Sequence, residues 1–236
     1  MAKSASSAVD KDELSHNLLG QRLGKKGRDT RERILAATER LLAGPPDTPI
    51  TLSAVAREAS LGMTSLYLYF NDLTELLLAQ LSATTASAEE AYINHLREHW
   101  PDGTLGQNCL QFLEAYHAFW VRHSRILHLR NSYADGSDVR MRRHRIEMSM
   151  PLIQLLVRQM EGDPSRTDSS PFALASVLLT SIERMITVTT DIGFTVSFSI
   201  LQMEDPEAQV RRLLGAEARL LELGIRDCRQ TARSHP

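Results

Sequence analysis

The chain is poor in cysteine, with only Cys109 and Cys228 among its 236 residues. The pair forms neither a metal-ligand spacing nor a disulfide framework, and reads as two free thiols of a reducing compartment. Charge of one sign is not in excess either. Lys and Arg number 27 against 29 Asp and Glu, a formal net charge of −2, so any nucleic-acid footprint must be local. Uninterrupted hydrophobic runs are missing too. The most apolar segment, "PFALASVLLTSIERMITV", is broken by Glu183 and Arg184, which argues against a membrane span. The opening "MAKSASSAVD" carries no apolar run and no cleavage site, which predicts no signal peptide. The sequence shows no phosphate-cradling glycine loop, nucleophile elbow or zinc pattern. These absences predict a cytoplasmic protein with no membrane partner, no cofactor, no metal and no catalytic residues.

Apolar residues make up 42% of the chain, enough for a sizeable core. Residues 1–28 are rich in Ser, Asp, Lys and Gly and read as a mobile arm with a basic end. Arg22, Lys25, Lys26, Arg28, Arg31 and Arg33 fall within twelve residues there. Asp29 and Glu32 have capping-box spacing, and Ile34, Ala37, Thr38 and Leu41 mark one helical face. "GPPDTP" (44–49) ends that helix. Thr51 caps a short second helix, with Leu52, Val55, Ala56 and Ala59 on its inner face.

The following stretch, "SLGMTSLYLYF" (60–70), is ambiguous by composition, because aromatic residues favour strands. No neighbouring segment reads as a strand to pair with it, and an unpaired strand leaves its backbone groups unsatisfied. The stretch is therefore read as a helix. Leu66 and Phe70 face inward at i, i+4, and Met63, Thr64, Tyr67 and Leu68 face outward. Asp72 and Glu75 then form a second capping box, launching a long helix to about Glu98. Further helices are expected over 107–130, over 138–160 with Pro151 inside it predicting a kink or a break, over 172–190 and over 206–228. The fold class is thus all-α.

Two short helices joined by a tight turn make a helix-turn-helix, whose second helix enters the DNA major groove. Ala56 and Ala59 are small enough for close helix approach, and Gly62 is expected to allow a tight turn. Met63, Thr64, Ser65 and Leu68 suit base edges. Tyrosine hydroxyls such as those of Tyr67 and Tyr69 suit phosphate. Residues 30–81, "TRERILAATERLLA…PITLSAVAREASLGMTSLYLYFNDLTELLLAQL", resemble the DNA-binding region of the TetR family of bacterial transcription regulators. Leu66-Tyr67-Leu68-Tyr69-Phe70 matches the family's Leu-Tyr-x-Tyr/His-Phe signature.

The resemblance implies a homodimer that reads a palindromic double-stranded DNA operator and is released by a small-molecule effector. It implies a three-helix DNA-binding domain over 29–76 and a helical effector-binding and dimerisation domain over 77–230. Carried over residue by residue, Thr51 and Tyr67 match phosphate-contacting positions, and Ser53, Met63, Thr64, Ser65 and Leu68 match base-facing ones. The chain departs from the family pattern at Ser60, Gly62 and Thr64. It has Leu73 where the family commonly has a phosphate-gripping lysine, and Arg28 and Arg31 are candidates to compensate.

In the C-terminal part, Trp100, Phe112, Tyr116, Phe119 and Trp120 read either as core or as the wall of a pocket for an apolar or aromatic effector. Met148 and His144 are further candidates, with His117 and Glu114 as weaker polar ones. Residues 172–190 and 206–223 are candidates for a subunit interface. A ferritin-like metal enzyme is the rival class, but the only Glu-x-x-His pairs are Glu114–His117 and Glu13–His16. An activator with the same DNA-binding domain is the other alternative.

Overall fold

A computed structural model describes residues 24–45, 48–200 and 205–234. The expectations for residues 1–23 lie outside the described residues. The fold is all-α. Among the described residues there are ten α-helices and one π-helical segment, and no strand. The chain divides into two units, residues 1–80 and 81–236.

The first unit holds α1 (Lys25–Ala43), α2 (Leu52–Glu58), α3 (Met63–Leu66) and the start of α4 (Leu73–Ala88). Its core is formed by Ile34, Ala37, Val55, Ala56, Ala59, Leu66, Phe70 and Leu76. These are the inner-face residues of each helix, at the i, i+3, i+4 spacing that brings side chains to one side. α1 starts earlier than its sequence suggests. Gly24 occupies the N-cap without a side-chain bond, so Asp29 lies inside the helix and does not cap it, and Lys25, Lys26 and Arg28 are helical. Thr38, buried in this core, satisfies its hydroxyl on the Ile34 carbonyl one turn back. α4 is capped as its spacing predicts: Glu75 N–H donates to Asp72 Oδ1 at 2.8 Å, and Glu75 Oε2 accepts from Asn71 N–H at 2.7 Å.

In the second unit α4 runs on into a π-helical segment (Glu89–Ile93) and α5 (Asn94–Arg97). α6 (Leu105–Asp135), α7 (Val139–Gln159), α8 (Ser170–Thr189), α9 (Ile192–Ile200) and α10 (Pro206–Ser234) follow. α6 packs on α7 and α10, and α8 packs on α7 and α10. α10 buries Leu214, Ala218, Leu221, Ile225 and Arg229, a stripe repeating every three to four residues. α8 has the length and composition of a membrane span, yet it buries Leu178, Leu179, Ile182 and Ile186 within the bundle. Its all-round apolar sequence predicts burial on more than one side. Among the described residues its buried positions lie on one side, and Val177 stays 66% exposed.

A buried polar knot ties the ends of three helices. Arg229, 1% exposed, donates to the Gln159 carbonyl at 2.7 Å, the Trp100 carbonyl at 2.9 Å and Asp102 Oδ1 at 2.7 Å. Gln159 donates in turn to the Leu96 and Glu98 carbonyls and accepts from Trp100 N–H. A buried guanidinium is tolerated only when its donors are matched in this way.

Candidate functional site

The first candidate surface is on the helix-turn-helix of the first unit. Thr51 Oγ1 accepts from Ala54 N–H at 3.1 Å, capping α2, and lies 3.1 Å from Ser53 Oγ. Both hydroxyls are exposed at the head of α2. α3 is a single turn. The helical hydrogen-bonding continues past it, from Tyr67 N–H to the Met63 carbonyl and from Phe70 N–H to the Leu66 carbonyl. Leu66 and Phe70 are buried at 0% and 1%, which anchors this turn to the core. With those two turned in, Thr64, Ser65, Tyr67 and Leu68 are exposed. Met63 and Tyr69 are only half-buried, packed against the core cluster, so Met63 is less outward than its position suggests.

One local expectation is corrected. Gly62 adopts φ −74°, ψ 150°, open to any residue, and a Cβ added there meets nothing within 4 Å. The turn's demanding position is Ser60, with φ at 53° in the left-handed region. Arg31, a candidate DNA contact, sets its guanidinium 5.3 Å from the Phe70 ring centroid. Burial lowers its pKa, and the Glu75 carboxylate opposes that shift. Arg28 is exposed on the first turns of α1.

The second candidate site is a cavity in the second unit. Thr84, Thr85 and Tyr92 reach it from α4 and the π-helical segment, and Tyr116, Phe119, Trp120, Leu127 and Arg130 from α6. His144, Met148 and Leu152 come from α7, and Glu183 from α8. The free space is small, about 10 Å³, room for roughly one water. Helical regularity breaks beside the lining on two of its walls, while α7 runs on as one helix through Pro151 without the kink or break its sequence predicts. The π-helical segment carries Tyr92, α6 is non-helical at His123 between Trp120 and Leu127, and Pro151 sits in α7 next to Leu152. π-segments recur where a helix must turn a side chain into a site.

The aromatic candidates therefore separate. Tyr116, Phe119 and Trp120 line the cavity, with His144 and Met148. Phe112 stacks on Tyr116 at 5.9 Å from behind. Trp100 belongs to the polar knot, and its indole N–H donates to the His95 carbonyl at 2.6 Å. Glu114 is exposed on the outer side of α6, and His117 does not line the cavity. Among the described residues no group of three or more His, Cys, Asp or Glu is arranged to hold a metal ion.

The polar side chains of the cavity set its chemistry. Glu183 Oε1 accepts from Tyr116 Oη at 3.3 Å and Ser149 Oγ at 3.0 Å. Burial pushes the Tyr92 and Tyr116 hydroxyls well above their ordinary pKa, so both are neutral donors. Burial, aided by the Arg130 charge, holds the His144 imidazole down at about 4, so it is neutral near pH 7. Its Nδ1 is buried without a hydrogen-bond partner. Thr84, Thr85, Tyr92, Leu127, Arg130, Leu152 and Glu183 are cavity residues that the sequence reading missed. A signal was present for two of them: Arg130 and Glu183 are charges within apolar helical faces, and Arg130 lies at i+14 on the stripe that carries Tyr116, Trp120 and Leu127.

In comparison with known proteins, no family model matches the chain and no curated protein matches it.

Proposed function

We propose that the protein is a dimeric, cytoplasmic transcription regulator of the TetR type, a repressor that leaves its operator when a small apolar or aromatic molecule enters the second unit. The observation that carries this reading is the division of residues 51–70 into two faces. Leu66 and Phe70 are buried, while Thr51, Ser53, Thr64, Ser65, Tyr67 and Leu68 are exposed. An exposed, uncharged face of hydroxyls and apolar tips on a second helix is the chemistry that meets base edges and phosphates in a major groove. Large apolar side chains at its surface, Tyr67 at 48% and Leu68 at 41%, have a use there that solvent does not supply.

The coupling would run along α4, whose Leu73 and Leu76 pack with the first unit's core while Thr84 and Thr85 line the cavity. An effector that binds better to the arrangement unable to span two half-sites weakens DNA binding by that difference in affinity. For the dimer, the surfaces offered are those of α8 and α10. Val177, Leu220 and Leu223 are exposed at 66%, 52% and 45%.

The test is fluorescence anisotropy with DNA from upstream of the protein's own coding region. It is run at two salt concentrations with excess nonspecific competitor. Saturable binding that survives competitor, with two chains per site, supports the reading. Loss of the complex with competitor, there and in a genome-wide binding selection, overturns it.

A further inference from the structure

We propose that the cavity of the second unit selects a carboxylate-bearing aromatic or apolar molecule, whose anionic group pairs with Arg130. This rests on the reading of the cavity as an effector site and adds the chemical class of the effector.

Arg130 is 4% exposed, so its guanidinium is removed from water. Its Nε and Nη2 both donate to one neutral acceptor, Asn131 Oδ1, at 3.1 and 3.0 Å. Among the described residues no carboxylate oxygen lies within 4 Å to form an ion pair with it. The contrast with Arg229 is direct. That buried arginine is satisfied by two backbone carbonyls and by Asp102 at 2.7 Å. A buried cation with no ion pair within 4 Å is held against the cost of desolvation, and an arriving carboxylate in hydrogen-bonding contact offsets part of that cost. Glu183, in the same cavity, exerts its charge on Arg130 from beyond ion-pair distance, while its Oε1 accepts from Tyr116 and Ser149.

The surroundings favour a flat apolar body on that carboxylate. The Trp120 ring lies 5.6 Å from the Arg130 guanidinium carbon, so a cation and an aromatic face already stand together. Tyr92, Tyr116 and Phe119 continue the aromatic wall, with ring centroids 4.5 and 5.0 Å apart from Tyr92. His144 adds a ring nitrogen, Nδ1, that has no partner until a ligand supplies one. The space now open is about one water in size, so entry requires the walls to part, and the helix irregularities at Tyr92 and His123 lie beside them.

The experiment uses the full chain without DNA. Benzoate, phenylacetate and 2-naphthoate are each titrated against their neutral amides, read by tryptophan fluorescence and by thermal shift. At least one acid is expected to bind saturably and tenfold or more tighter than its amide. Arg130→Met is expected to abolish that preference and Arg130→Lys to retain part of it. Equal affinity of acid and amide overturns the proposal, as does binding of neither. So does a preference that persists in a folded Arg130→Met variant. The wild-type comparison stands even where a variant fails to fold. Acid binding that leaves operator DNA in place would support the carboxylate site while counting against the regulator reading.

Discussion

The guanidinium of Arg31 on α1 lies 5.3 Å from the centroid of the Phe70 ring, which closes the turn after α3. The contact joins the first helix of the unit to the residue that closes the segment after α3. It gives Arg31 a packing role that its place in a basic cluster does not suggest. Arg31→Ala is expected to destabilise the protein by about 1 kcal/mol, through lost cation–π and stem packing. Urea denaturation measures this. A phosphate-contact role would instead lower the slope of log affinity against log salt by about one; the slope is expected to stay unchanged.

Tyr67 is exposed beside Thr64 and Leu68, and on the proposed function it tests grip against readout. Tyr67→Phe removes only a hydroxyl and is expected to weaken binding by about 1 kcal/mol on every operator sequence alike. Thr64→Ala or Leu68→Ala is expected to shift preference at single base pairs by about 1–3 kcal/mol. Anisotropy titrations on a set of singly substituted operators discriminate these outcomes. A changed preference in Tyr67→Phe would reverse the assigned roles.

Ser60 carries the left-handed backbone of the turn between α2 and α3 at φ 53°. Ser60→Gly is expected to relieve about 1 kcal/mol of that conformational cost. Gly62→Ala, with open space around its Cβ and an ordinary φ, is expected to leave the fold intact. A rise in melting temperature for the first and none lost for the second is the expected pair of results.

Arg229→Met would strip Asp102, the Trp100 carbonyl and the Gln159 carbonyl of a shared donor. The expected loss is about 3 kcal/mol, typical of breaking a buried charged network from one side. Chemical denaturation measures it. A loss no larger than that of an exposed substitution would mean the knot is not holding the helix ends.

Acid should destabilise the second unit through His144. Its imidazole titrates at about 4 when folded and near 6.5 when unfolded, because burial and the neighbouring Arg130 charge disfavour the cation. Between those values the unfolded chain binds more protons, so stability is full above about pH 6.5 and is lost as pH falls toward 4. At pH 5 the shift corresponds to about 2 kcal/mol, reduced by solvent screening of this partly exposed ring. His144→Gln is expected to flatten this part of the stability profile, measured by thermal melts from pH 7 to pH 4.5.

Much of the first unit was legible in the sequence because its contacts are local. Spacings of three and four residues put Ile34, Val55, Leu66 and Phe70 on inner faces, and all are buried. The same logic marked Asp72 and Glu75 as a cap, since capping joins neighbours in the chain. It misled at Asp29, because a capping-box spacing also occurs inside a helix whose first turns come earlier. It misled at Gly62 as well: a Cβ there meets nothing within 4 Å, so no close approach depends on the glycine.

What the sequence determined by itself was an all-helical chain, the inward Leu66 and Phe70 and outward Thr64, Tyr67 and Leu68 of the segment after α2 (Met63, also read as outward, packs on the core), and an aromatic stripe on α6. What only the tertiary structure decided was which of those aromatics meet a cavity. Tyr92, Arg130, His144 and Glu183 come from separate helices. No periodicity within one helix records the angle at which another crosses it. Trp100 and Phe112 have the same composition as their neighbours, yet one ends in the polar knot and the other behind Tyr116. The physical reason is that helix formation is set by bonds a turn apart, whereas a pocket is set by packing between segments distant in the chain.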